Sequence, residues 1–121
     1  MEEVMQAQVT VATERLEGDG ALVTATGELD VATSGPLRVA LTRAVDDGAR
    51  RLVVDLRGVS FLDSITVAIL VHASRRVDGR FAVAVEPGTY AGLIFEVAGL
   101  VEPLGVRESL DAALARVAVA Q

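Results

Sequence analysis

The segment from Arg51 to Leu70 constrains the fold of this chain more than any other part of the sequence. It begins with residues 52–56, which are apolar except for Asp55, as is typical of a central strand covered on one or both faces. A turn is expected next, and then a helix that begins at Asp63 and Ser64. This order places a carboxylate, the hydroxyls of Ser64 and Thr66 and free backbone N–H groups at one helix N-terminus. Such a terminus favours negative charge and can hold an anion or a phosphoryl group.

The rest of the chain alternates between strand and helix patterns. The turn residues Gly18, Asp19 and Gly20 separate two apolar runs and predict a β-hairpin. The β–α units that follow predict parallel strand pairs joined by right-handed crossovers. We expect strands over residues 8–13, 21–26, 52–56 and 81–85, and helices over residues 63–77, 91–97 and 109–119, with one more helix that Thr33 or Ser34 caps and Gly48 ends. The expected fold class is α/β: a single domain over residues 1–121, with an ordered core of about residues 7–119, in which a mixed β-sheet packs against about four helices.

The helix after the central strand has one apolar face. Four of its residues recur at helical spacing and mark its inner stripe: Ile65, Ala68, Ile69 and Ala73. Ile65 lies at the very start of the helix, so it either joins the core or points outward beside Val67. We expect Ile65 to be partly exposed, in which case it adds an apolar contact to a partner-binding patch.

The composition excludes several kinds of chemistry. The 121 residues include no Cys and one His, which excludes disulfides, thiolate sites and multi-histidine metal sites. All 11 basic residues are Arg, so a P-loop, which needs Lys, is excluded as well. The missing Lys also argues against a receiver-type phosphoaspartate domain. We therefore expect neither a metal nor a cofactor.

Charge and hydropathy indicate where the protein works. A net charge of −6 has the wrong sign for direct binding to nucleic acid. The first residues have no basic start and no apolar stretch, so they are not a signal peptide. No apolar run approaches the ~18 residues that would span a bilayer. These features predict a cytoplasmic protein with no membrane insertion.

The sequence gives little support for an enzyme. His72 is the only histidine that could serve as a catalytic base, and it lies in mid-helix with no nucleophile motif nearby, as a surface histidine would. Glu28 and Asp30 precede a helix, where acids ordinarily complement the helix dipole. No catalytic residues are therefore predicted.

Three segments together resemble the STAS family, which includes bacterial anti-sigma factor antagonists. They occur in the family's order and span nearly the whole chain: residues 27–33 before a Pro-containing helix start, residues 52–64, and residues 86–87 followed by residues 95–100 and 109–114. The resemblance implies a small cytoplasmic α/β domain without enzymatic activity. It also implies a partner, an anti-sigma factor that is often a serine kinase with a GHKL-type ATPase fold, whose capture releases a sigma factor. The resemblance leaves room for a weak homodimer.

One residue departs from the family's motif, Asp-Ser-Ser/Thr-Gly, whose second hydroxyl residue the kinase phosphorylates. Asp63 and Ser64 match its first two positions, Ile65 occupies the phosphoacceptor position, and Thr66 replaces the glycine. Isoleucine has no hydroxyl and cannot accept a phosphate. A phosphate in this family works by adding about −1.5 to −2 charge to the contact surface.

Three interpretations follow from this departure. The protein binds an anti-sigma factor without the usual phosphorylation switch, or Ser64 or Thr66 is a displaced phosphoacceptor, or the domain is a scaffold or accessory subunit of a membrane transporter ATPase. Ser64 has a simpler role open to it, which is to satisfy backbone donors at the helix start. The expected partner-binding surface consists of Glu28, Asp30, Asp63, Ser64, Ile65, Thr66 and Val67.

Overall fold

The computed structural model describes residues 2–6, as backbone, and residues 9–118. These residues form six strands and four helices. In chain order they are β1 (Glu2–Gln6), β2 (Val9–Arg15), β3 (Gly20–Leu29), α1 (Gly35–Asp46), β4 (Arg51–Leu62), α2 (Ser64–Arg76), β5 (Phe81–Ala84), α3 (Tyr90–Val97), β6 (Val106–Arg107) and α4 (Leu110–Arg116). The predicted α/β class is confirmed.

The six strands lie side by side in the order in which they occur in the chain. The pairs β1–β2 and β2–β3 are antiparallel, and the second of these is the predicted hairpin. The pairs β3–β4, β4–β5 and β5–β6 are parallel. Parallel neighbours need a crossover, which α1 supplies between β3 and β4 and α2 supplies between β4 and β5. As a result, α1 and α2 both begin at the edge of the sheet where β3 and β4 end.

The sheet is buried on both faces at its centre. Leu52 and Val54 of β4 belong to the larger core cluster, which includes residues of α1, α2 and α3. Val53, between them, points to the opposite face and belongs to a smaller cluster with Ala113 and Val117 at the C-terminal end of the chain. Successive side chains of a strand alternate between faces. A central strand covered on both faces therefore needs apolar residues at successive positions, as the sequence has over residues 52–54 and at Leu56, with Asp55 as the exception.

Two strands are longer than predicted. The turn expected after residue 56 is wrong, because β4 continues to Leu62. Likewise β3 continues to Leu29, so Glu28 lies in a strand and not in a loop. The pairing of these strands shifts register between Thr24 and Thr26, as it does at a β-bulge. Gly58 permits the close approach there, because a Cβ at that position would lie 2.8 Å from Cγ2 of Thr26.

The ends of the chain also differ from the sequence-based expectation. β1 was not predicted and lies outside the expected ordered core of residues 7–119. The terminal helix ends at Arg116. The predicted strand start at residue 8 and the predicted helix end at residue 119 fall outside the described residues.

Arg51 ties the hairpin turn to the end of the chain. Arg51 is almost buried, with 8% of its surface exposed to solvent. Its guanidinium donates to Oδ1 of Asp19 at 2.6 Å, to the carbonyl of Glu17 at 2.6 Å and to the carbonyl of Val117 at 3.0 Å. A Cβ at Gly20 would lie 2.9 Å from Nη2 of Arg51, so the turn glycine also makes space for this side chain. The hydrogen bond from Arg51 lowers the pKa of Asp19, although desolvation opposes the effect.

We predict that Arg51→Met lowers the free energy of unfolding by about 1–3 kcal/mol, because two carbonyls in a partly buried site lose their donor. Urea denaturation followed by circular dichroism measures this loss. The matched control is Arg50→Met, since Arg50 is the exposed neighbour and its loss should stay within about 0.5 kcal/mol. Equal losses in the two variants would contradict a special role for Arg51.

Candidate functional site

The predicted site residues meet at the edge of the sheet where β3 and β4 end. Leu29 and Leu62 are register partners in the last step of the parallel pairing. The next residue of each strand is an acid, Asp30 after β3 and Asp63 after β4. Glu28, one residue before Leu29, is exposed at the same edge. Carboxylates from two segments that are far apart in the sequence, Glu28 and Asp30 in one and Asp63 in the other, therefore lie beside the starts of two helices, where negative charge is favoured.

Asp63 is the N-cap of α2, as predicted. Its backbone is extended, with φ −113° and ψ −178°, and its Oδ1 accepts from the backbone N–H of Thr66 at 3.0 Å. This bond satisfies one of the donors that the first helical turn leaves without a partner. The backbone N–H of Asp63 donates to the carbonyl of Leu29 at 3.2 Å. The start of α2 is thereby fixed to the end of β3.

Thr66 is placed differently from the expectation. Its side chain is fully buried, and its hydroxyl lies 3.2 Å from the carbonyl oxygen of Leu29 and 3.1 Å from Oδ1 of Asp63. A hydroxyl in this position is engaged with the protein itself. The expectation that Thr66 is exposed at the contact surface is therefore corrected: in this structure its hydroxyl contacts the end of β3 and the cap of α2.

The loop before α1 is closed by its own side chains. Oδ1 of Asp30 accepts from the backbone N–H of Ala32 at 2.8 Å and of Thr33 at 3.0 Å. The Thr33 hydroxyl accepts from the N–H of Asp30 and donates to the carbonyl of Glu28 at 2.7 Å. The prediction that the hydroxyl of Thr33 or Ser34 caps α1 is wrong. Ser34 is the N-cap residue, but its side chain makes no cap hydrogen bond. The Thr33 hydroxyl stabilises the loop instead.

This closed loop and the first turn of α2 present apolar side chains to solvent. Val31 is 76% exposed and Ile65 is 48% exposed, in agreement with the expected partial exposure of Ile65. Ser64 is exposed as well, and Val67 is half-buried. Sequence reasoning missed Val31, although a valine directly after the acid of a polar loop was a signal that could have been noticed.

The buried face of α2 is rotated relative to the prediction. Ile65 is partly exposed as expected, and of the other three residues in the predicted inner stripe Ala73 is buried, Ile69 is half-buried and Ala68 is exposed. The buried residues are Thr66, Leu70, Ala73 and Ser74. The predicted stripe faces the gap between α2 and α1. Apolar residues recur at the same spacing whether a helix packs on the sheet alone or also faces a neighbouring helix. The spacing alone therefore did not show which residues of α2 are buried.

The described residues do not meet the requirements of a metal site or of a membrane span. Within residues 2–6 and 9–118, no group of three or more acids or histidines could hold a metal ion. His72 is exposed on α2. Over the same residues, none of the helices has the length and apolar character needed to cross a membrane.

Comparison with known proteins identifies the family. A family model described as "Mlab, STAS domain" matches residues 12–110, which is most of the chain. The chain belongs to the STAS domain family. The resemblance inferred from the sequence motifs is thereby confirmed.

Solved structures of anti-sigma factor antagonists have a similar fold. An anti-sigma factor antagonist from Mycobacterium paratuberculosis is similar with a TM-score of 0.80 and 27% sequence identity, over 90% of this chain and 93% of that one. SpoIIAA, an anti-sigma factor antagonist in its unphosphorylated form, gives a TM-score of 0.71 and 22% identity, over 88% and 95% of the two chains. The phosphorylated form of SpoIIAA, a Bacillus cell fate determinant, gives 0.65 and 20%, over 89% and 99%.

We predict that Asp63→Ala lowers the free energy of unfolding by about 0.5–2 kcal/mol, because the cap of α2 is lost. Asp63→Asn keeps an oxygen that accepts from Thr66, so its loss should be clearly smaller. Urea denaturation of both variants provides the comparison. If the two losses are equal, the charge of Asp63 and not its cap stabilises the helix start.

Proposed function

We propose that this STAS protein is an anti-sigma factor antagonist of the cytoplasm. It binds an anti-sigma factor of the GHKL-type serine kinase class and so releases a sigma factor. The observation that supports this most is the exposure of Ile65 at the start of α2, in a fold similar to that of solved anti-sigma factor antagonists. The proposed activity is binding, and no catalytic step is assigned to any residue.

The proposed contact surface combines an apolar centre with an acidic border. Val31 and Ile65 supply exposed apolar area, and burying the exposed half of Ile65 on a partner would contribute about 1 kcal/mol. Glu28, Asp30 and Asp63 supply the negative charge. Interfaces gain most of their affinity from such apolar centres and much of their specificity from the surrounding charge. The full proposed surface is Glu28, Asp30, Val31, Asp63, Ser64, Ile65 and Val67.

In this proposal, the protein lacks the phosphorylation switch that is usual for antagonists of this family. Ile65 occupies the position where the family motif has its phosphoacceptor, and its side chain has no oxygen. Of the two hydroxyls that could act in its place, Thr66 is buried and Ser64 is exposed. If a kinase adds a phosphate to this segment, Ser64 is therefore the residue that we propose as the acceptor.

We predict that Ile65→Asp weakens binding to the cognate anti-sigma factor by about tenfold or more, because a charge replaces apolar area at the centre of the contact. Isothermal titration calorimetry with the purified kinases of the same genome measures the affinity. Val39→Asp is the matched control, since Val39 is 42% exposed but lies on the flank of α1 that faces β2.

The same pair of variants can refute the proposal. Equal effects of Ile65→Asp and Val39→Asp would place the contact elsewhere. Absence of binding to every GHKL-type kinase, together with recovery of a transporter ATPase from the source organism, would favour the role of accessory subunit.

We also predict that Ile65→Ser creates a phosphoacceptor. Incubation with ATP and the bound kinase should add one phosphate to Ile65→Ser, whereas the natural sequence should gain none, as read by intact mass. Combining Ile65→Ser with Ser64→Ala should leave that phosphate in place. A phosphate on the natural sequence that Ser64→Ala abolishes would contradict the lost switch and show that it has moved to Ser64.

A further inference from the structure

The outer face of α3 has a row of exposed apolar side chains, which we call the α3 stripe. It consists of Tyr90, Leu93 and Val97, which are 45%, 53% and 77% exposed. Their spacing of three and four residues places them on one side of the helix, opposite the buried Ala91 and Phe95. The sequence has a single tyrosine, and this structure leaves it at the surface. Apolar area of this kind on a small domain indicates a contact surface.

The α3 stripe begins at the edge of the sheet where the proposed anti-sigma factor contact lies. The strands β3, β4 and β5 are parallel, and each is followed at its carboxyl end by a helix. β4 continues from Asp55, its last residue paired with β5, to Leu62. The start of α3 lies beside this extension, because the ring of Tyr90 stacks on the ring of Phe61, with centroids 5.4 Å apart and planes inclined by 14°.

Phe61 connects the stripe to the proposed contact. On the other side of β4 lies β3, where Glu28 is the register partner of Phe61. Paired strands are about 4.8 Å apart, so Glu28, Phe61 and Tyr90 follow one another from β3 to α3. Glu28 and Asp63, two residues after Phe61, both belong to the surface proposed around Ile65. The α3 stripe is therefore a continuation of that surface and not a separate patch.

The start of the stripe is held in a fixed position. The hydroxyl of Thr89 accepts from the N–H of Gly92 at 3.4 Å and donates to the carbonyl of Glu86 at 2.7 Å, which fixes the first turn of α3. The stacked rings of Tyr90 and Phe61 hold this turn against β4. A preformed surface loses little conformational entropy when a partner covers it.

The side chains around the stripe are acidic. Glu86, Glu96 and Glu108 line a shallow cavity of about 520 Å³ that Tyr90 and Leu93 also line. None of these three carboxylates forms an ion pair with any residue that the structure describes. Their charges are therefore free to act on a partner.

Two arginines lie near these acids, and each already faces a carboxylate. Arg107 lines the same cavity and lies 4.0 Å from Glu102. Arg57 donates to both carboxylate oxygens of Asp55 at 3.0 Å. These bonds raise the pKa of Arg57, and the charge of Glu86 raises it further. Neither arginine cancels the acidic character of the stripe.

A third arginine, Arg38, lies on the far side of the surface. It lines the cavity that Val31 and Ile65 also line. Its helix, α1, packs on β2 and β3, whereas α3 packs on β4. The α3 side of the surface is thus the acidic side, and it suits a partner that is apolar in its centre and basic at its edge.

We propose that the α3 stripe is a second part of the anti-sigma factor contact, in which Tyr90 and Leu93 anchor a basic face of the partner. This extension rests on the proposed function, since it assigns more of the surface to the same partner. A stable interface covers about 800 Å² on each protein, far more than Val31 and Ile65 expose together. The stripe supplies further area on the same edge, and tyrosine is among the residues that contribute most to affinity.

Isothermal titration calorimetry of the full chain with the purified GHKL-type kinases of the same genome tests this extension. Leu93→Ser removes apolar area from the stripe without adding charge. Its matched control is Val39→Ser, since Val39 is 42% exposed on the flank of α1 that faces β2. Glu96→Arg reverses a charge beside the stripe. Its control is Glu14→Arg, an exposed acid that pairs with Leu22 near the start of β3, at the opposite edge of the sheet.

We expect Leu93→Ser to weaken binding about fivefold or more, because an apolar anchor is lost. Glu96→Arg should also weaken binding about fivefold, and this loss should shrink at about 0.5 M salt, which screens the charges. Both controls should bind within about twofold of the natural chain. All four replaced side chains are exposed, so the fold should persist, as circular dichroism will verify.

The outcomes separate this extension from the proposed function. Binding that Ile65→Asp weakens, but that Leu93→Ser and Glu96→Arg leave unchanged, would overturn the extension alone. A natural chain that binds none of the kinases would overturn both. Self-association of the natural chain that Leu93→Ser abolishes in sedimentation equilibrium, with kinase binding unchanged, would assign the stripe to a second copy and overturn the extension as well.

Discussion

The parallel pairing of β3 with β4 is the constraint on which the rest of the site depends, and one carbonyl group secures its end. The carbonyl oxygen of Leu29 accepts from the N–H of Asp63 at 3.2 Å and lies 3.2 Å from the hydroxyl of Thr66. Because both donors belong to the start of α2, the helix begins at a fixed point beside the strand. The direction in which Ser64 and Ile65 project follows from that point. A single backbone oxygen thus connects the sheet pairing to the surface at which we propose a partner binds.

The order of strands and helices was predicted well, because the apolar runs that were read as strands coincide with strands of the sheet. Residues 52–56, which are apolar except for Asp55, indicated a central strand covered on one or both faces, and Gly18, Asp19 and Gly20 indicated a turn. What the sequence could not supply was the extent of β3 and β4. Arg57, Gly58 and Ser60 have the composition of a turn, yet they lie within β4, where Gly58 leaves space for the side chain of Thr26 on the neighbouring strand at the bulge. Such a requirement involves two residues far apart in the sequence, and no local pattern contains it.

The candidate site was predicted in its location but not in the orientation of its side chains. The cap by Asp63 follows from local chemistry, since a short acidic side chain before a helix accepts from the first turn. The burial of Thr66 does not, because it depends on the carbonyl of Leu29, 37 residues away in the chain. Likewise, Ile65, Ala68 and Ile69 have a periodicity that fits a helix facing either the sheet or another helix. Only the position of α1 beside α2 decides between these two arrangements.

That position also determines what Ile65 can do. Because α1 lies beside α2, Ile65 and Val31 face the gap between the two helices and stay exposed at its end, so both side chains are available as the apolar centre of the proposed anti-sigma factor contact. At the position where the family motif has its phosphoacceptor, an isoleucine contributes apolar area and cannot acquire the charge of a phosphate, so the proposed contact would not be switched off there by phosphorylation.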